Sequence, residues 1–192
     1  MPLSAQLGAH EITFEDVGGD GPPILLTPGA AESAADLRAR FERFARVYRL
    51  IVWDPPEGDG DDRARDLSGL ALDLLHHQGI ERAILAGDGQ GALVCLRAAL
   101  QAPDRVRGLV LFDVPEGEAA EYDRIDELDV PTVVVQTEAG GGRSHEATRE
   151  LGAAIRDNRG VHLLEGPAPA VAPTRESDVD PFVREYLESL PA

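Results

Sequence analysis

Apolar positions in this chain fall into short continuous runs separated by stretches with a helical repeat. The runs at residues 23–27, 49–53, 82–86, 106–112 and 131–136 each predict a strand covered on both faces. Residues 10–16 and 161–164 predict two further strands. Helices are predicted over 32–47, 91–101, 144–156 and 181–190. In the segment after the turn-rich residues 54–62, Leu67, Leu70, Ala71 and Leu74 recur at i, i+3, i+4 and i+7, which is one face of a helix. Residues 116–128 are acidic and allow one more helix. Strands alternating with helices imply an α/β architecture, with a mostly parallel central sheet and helices on both of its faces. No internal repeat or linker interrupts the pattern, so the expectation is a single domain over residues 1–192.

Composition narrows the partners. The formal charge is −17, and all 18 basic residues are arginine. Such a surface repels phosphate backbones and anionic bilayers, so neither nucleic acid nor membrane is an expected partner. Arginine without lysine, beside abundant Ala, Gly and Pro, points to a GC-rich bacterial genome. The lone cysteine, Cys95, cannot form an internal disulfide and reads as a small buried hydrophobe. No leader-like or membrane-spanning run stands out, and the expected location is the cytoplasm.

Several phrases carry a family resemblance: DVGGDGPPILLTPG at 16–29, IVWDP at 51–55, GIERAILAGDGQG at 79–91, APDRVRGLVLF at 102–112 and PTVVVQTE at 131–138. Together they make nearly the whole chain, from about residue 11 to 190, resemble the α/β-hydrolase superfamily. The resemblance implies that fold. With only about twenty residues between Phe112 and Pro131, it implies no substantial lid.

In that family the nucleophile stands at a strained strand-to-helix turn, G-x-S-x-G. The matching residues here are Gly87-Asp88-Gly89-Gln90-Gly91, with Gly89 at the serine position. By the same correspondence Gly140 stands where the acid belongs and Pro169 where the histidine belongs. The His-Gly pair of the loop after the third strand reads Pro28-Gly29. The resemblance therefore implies a degenerate triad, as in the N-myc downstream-regulated proteins. It implies a non-hydrolytic protein that binds a small-molecule ligand or a protein partner. The rival expectations are a non-hydrolytic cyclase, isomerase or lyase of secondary metabolism and a structural subunit of an active homologue. No cofactor and no metal are expected.

Backbone donors outlast lost side chains. The family's oxyanion hole maps to the amides of Gln90 and Ala30, and the N-terminus of the helix behind them favours negative charge. Ala30, Asp88, Gln90, Gly91 and Asp113 are accordingly the candidate ligand-binding residues. Asp88 stands one residue before the position at which haloalkane dehalogenases carry a nucleophilic aspartate. Asp113 ends the 106–112 strand, at an alternative place for the family's triad acid. Gly87, Gly89 and Ala92 also fit a dinucleotide fingerprint, but such a fingerprint usually opens its domain, and this one lies mid-chain. His76 and His77 are adjacent and point apart. His162 is placed at the start of its strand as a structural residue, and His145 is placed near Glu138. The acids at 57, 59, 61 and 62 lack the spacing of a calcium loop.

Overall fold

The computed structural model describes residues 2–29, 33–56, 61–116, 122–137, 143–164 and 176–191, the side chains of 61–66 and 176–180 excepted. Strand β1 (Leu3–Leu7) pairs antiparallel with β2 (His10–Gly18) through a turn in which Gly8 has φ 58°. After β3 (Pro23–Thr27) come helix α1 (Ala34–Phe41) and β4 (Arg49–Asp54). Helix α2 (Asp61–His77), β5 (Ala83–Asp88) and α3 (Gln90–Gln101) lead to β6 (Val106–Phe112). The chain continues through β7 (Thr132–Thr137), α4 (His145–Ala154), β8 (Asn158–Leu164) and α5 (Glu176–Ser189).

The eight strands form one sheet in the order β1-β2-β4-β3-β5-β6-β7-β8. Pairing is antiparallel between β1 and β2 and between β2 and β4, and parallel from β4 to β8. The predicted α/β sheet with helices on both faces is therefore present. Alternation along the central strands divides the core. Leu25, Ile51, Leu85 and Leu109 pack with the buried faces of α2 and α3. Ile24, Leu26, Ile84 and Val110 face the other way, onto α1 and α5. Trp53, wholly buried, donates its indole N–H to Thr27 Oγ1 at 3.0 Å, which satisfies the one polar atom that this ring brings inside.

Four elements differ from the sequence reading. Strand β1 was not expected; only Ala5 and Leu7 of its five residues are buried, too few to mark an alternation. The helix expected over 32–47 tightens after Phe41 into a 3₁₀ turn, Glu42–Arg46, whose three-residue repeat brings Phe44 onto Phe41 at 5.7 Å between ring centres. β8 begins at Asn158, so His162 lies mid-strand opposite Val135 rather than at the strand's start. Its ring is stacked on Phe182 of α5 at 3.9 Å. Of the helix expected over 116–128, residues 117–121 lie outside the described residues, and Tyr122–Glu127 form a 3₁₀ turn. No described helix is long and apolar enough to cross a membrane.

Candidate active site

The site grows from the turn between β5 and α3. β5 is buried from Ala83 to Gly87 and ends at Asp88. Gly89 then takes φ 53° and ψ −118° and caps α3, a conformation that residues with a Cβ rarely adopt. The flanking glycines are required for a different reason. A Cβ on Gly87 would overlap the Gly91 carbonyl, and one on Gly91 would overlap the Thr27 carbonyl, so helix and strands touch through bare backbone. A Cβ on Gly89 would meet no described atom within 4 Å. Among the described residues, the tip of the turn is thus limited by backbone angle alone.

The Gly89 N–H donates to the Phe112 carbonyl and the Ala92 N–H to the Gly89 carbonyl, both at 3.0 Å. The amides of Gln90 and Gly91 begin α3, where no intrahelical acceptor exists, and they carry the positive end of its dipole. Facing them is the loop after β3. A Cβ on Gly29 would come 2.6 Å from the Asp88 carbonyl oxygen, so this loop lies directly against the turn.

Two carboxylates flank Gly89. Asp88 Oδ2 accepts from Arg40 Nη1 at 2.9 Å, and the side chains of Arg40 and Asp88 are 13% and 17% exposed. The Arg40 guanidinium also lies 4.9 Å from the Phe112 ring centre. Asp88 is therefore charge-balanced by α1, and its repulsion of a developing oxyanion is reduced. Asp113 directly follows Phe112, the residue to which Gly89 is hydrogen-bonded. It is buried and has φ 43°, alone among the described non-glycine residues in being positive. Its Oδ1 accepts from the Thr137 N–H at 2.7 Å, Thr137 Oγ1 at 3.0 Å and Gln136 Nε2 at 3.3 Å. Oδ2 meets Thr137 Oγ1 at 3.1 Å. Burial holds the Asp113 pKa above the ordinary aspartate value, against the opposing Thr137 N–H bond, and the nearby Asp88 charge adds to the rise.

The strand order thus gathers Asp88, Gly89, Gln90, Gly91 and Asp113 at the carboxyl ends of β5 and β6, where α/β sheets place their ligands. Ala30, Gly140 and Pro169 lie outside the described residues, as does Glu138, the expected neighbour of His145. His145 is the first residue of α4, and its Nε2 is buried without a hydrogen-bond partner among the described residues. Sequence reasoning missed Arg40, Gln136 and Thr137. The last two carried a signal, since they are polar residues that follow a run of three valines at the end of a buried strand.

No family model matches the chain. A protein of Azorhizobium caulinodans named as a carbamate hydrolase, RutD, is 32% identical over 113 residues, which are 55% of this chain and 42% of that protein. A pimeloyl-[acyl-carrier protein] methyl ester esterase of Vibrio campbellii is 33% identical over 106 residues, 54% of this chain and 41% of the esterase. These matches span less than half the length of either relative. Among solved structures, the enol-lactonase of Burkholderia xenovorans superposes with a TM-score of 0.84 at 15% identity, over 97% of this chain and 100% of that one.

These findings overturn the expectation of a non-hydrolytic protein. That expectation weighed the residue types at three positions, of which only Gly89 lies among the described residues, whereas the two relatives above are named as a hydrolase and an esterase. The readings as a non-hydrolytic binding protein, a non-hydrolytic cyclase, isomerase or lyase, or a structural subunit fall with it. The strand order, the glycine-framed turn and these neighbours together place the chain in the α/β-hydrolase superfamily.

Proposed function

We infer that the chain hydrolyses a small acyl compound, an ester or a carbamate, with water as the nucleophile. The observation that carries this is the position at Gly89, free of contacts among the described residues, near the buried carboxylate of Asp113, whose pKa is raised. The activities named for the two relatives supply the substrate class. With glycine at 89, and Gly140 and Pro169 at the positions matched to the acid and histidine, water takes the place of a serine oxygen.

The substrate carbonyl oxygen would accept hydrogen bonds from the amides at the start of α3, where the helix dipole favours charge developing on it. Water in the space above Gly89 attacks the carbonyl carbon and gives its proton to Asp113. When the tetrahedral intermediate collapses, the bond to the leaving oxygen breaks, and Asp113 returns the proton to that oxygen. A raised pKa suits Asp113 to both transfers, since a carboxylate of ordinary pKa is a poor base near neutrality. Thr137 and Gln136 hold the carboxylate in place, and Arg40 keeps Asp88 from adding uncompensated negative charge.

The test is saturable turnover of p-nitrophenyl acetate and of an aryl carbamate by purified protein. Asp113→Asn is expected to lower kcat/KM by about 10²–10⁴-fold, the range general base catalysis supplies. Turnover no faster than buffer on either substrate, or an unchanged rate in Asp113→Asn, would overturn the assignment.

A further inference from the structure

A cavity of about 250 Å³ lies beneath the first turn of α1, on the outer face of β2 and β4. Its walls include Thr13, Glu15, Ser33, Arg38, Val52 and Asp54. Register explains the grouping. Thr13 pairs with Asp54 and Glu15 with Val52, so these four side chains share the face on which α1 packs. Val52, 3% exposed, is the apolar floor.

The polar groups are of both signs. Arg38 reaches in from α1 and forms an ion pair with Glu15, Nε to Oε2 at 3.5 Å, with the two side chains 36% and 37% exposed. The Nε atom itself is buried and makes no hydrogen bond among the described residues. Asp54 stands at the end of β4 and is exposed. The helix end is not what makes the site polar. Ser33 and Asp36 close a capping box on each other and satisfy the first turn.

We propose that this cavity binds a small free amino acid. Arg38 takes its carboxylate, and Glu15 and Asp54 take its ammonium group. One guanidinium against two carboxylates leaves the walls with a surplus negative charge, so a simple anion is excluded by repulsion. A simple amine would leave the buried Arg38 Nε without an acceptor. A zwitterion satisfies both, and the 250 Å³ and the Val52 floor admit a short side chain. The proposal uses none of the residues assigned to hydrolysis.

Calorimetric titration of the full chain with L-alanine, propionate and ethylamine separates the alternatives. L-Alanine is expected to bind, and the other two, each lacking one charge-assisted contact, to bind at least about tenfold more weakly. Arg38→Gln is expected to abolish alanine binding. Arg38→Lys, which keeps the charge but loses the Nε–H, weakens it at least about tenfold, provided circular dichroism matches the parent. Absence of alanine binding, ethylamine binding as tightly as alanine, or unchanged binding in folded Arg38→Gln would each overturn the proposal.

Discussion

Replacing Gly89 by serine tests the geometry of the turn and its chemistry in one variant. The backbone there, at φ 53° and ψ −118°, costs a residue with a Cβ about 1–3 kcal/mol, and no described atom would be displaced by the new side chain. For a chain of this size that corresponds to a fall in Tm of about 2–12 °C. Gly91→Ala is the internal control. Its methyl would overlap the Thr27 carbonyl oxygen and lie 2.7 Å from that of Pro28, and backbone cannot rotate aside, so the loss is expected to be larger. Urea unfolding followed by circular dichroism gives both values. Turnover is a second readout. The introduced hydroxymethyl group would occupy the space assigned to water, and a hydroxyl without a base is a weak nucleophile, so the rate is expected to fall. A Gly89→Ser protein as unstable as Gly91→Ala would show that the space is filled. One that gained about tenfold or more in esterase rate would show that a base for serine is already in place.

The other expectations concern charge. Because the folded-state pKa of Asp113 is raised, its stabilising contribution is full below the unfolded value and is lost as pH rises through the folded one. Asp113→Asn should therefore be more stable than the parent at neutral pH, with the difference closing in acid; a less stable variant at pH 7 would refute this. In the parent, kcat/KM should rise through a pKa above 3.8 and then level off, and a pH-independent rate would rule out Asp113 as the base. Arg40→Met strands a largely buried carboxylate and should cost about 3–5 kcal/mol by urea unfolding, with Arg40→Met/Asp88→Asn recovering part of it. His162 is depressed by burial, so its contribution is present above its unfolded pKa and lost as pH falls through the folded one. The Tm of the parent should accordingly fall faster with acidification than that of His162→Gln, and parallel curves would contradict the assignment.

The sheet was legible because its strands are runs of Val, Ile and Leu, whose meaning is local. The turn was legible because Gly87 and Gly91 stand where backbone approaches closely and Gly89 stands where the backbone angle is positive. The electrostatics of the site were not. Arg40 meets Asp88 across 48 residues and Thr137 meets Asp113 across 24, and neither pair leaves a periodic trace. Strand β1 escaped for the opposite reason, since Leu3 is exposed and only two small contacts tie its pattern to the core. Residue type at Gly89 was readable too, yet it led to the wrong activity class. A missing side chain says what a turn has lost and nothing about what water and neighbouring carboxylates supply.

The turn between β5 and α3 has one further property. Its scaffold is fixed by two glycines whose Cβ atoms would overlap backbone, while a Cβ at the position between them would meet no described atom. The strain of a serine there is small beside the total stability of about 5–15 kcal/mol typical of a domain. The residue at the tip can therefore change without rebuilding the scaffold, whereas a working serine there would also need a base, so backbone tolerance and chemistry at this turn are set by separate residues.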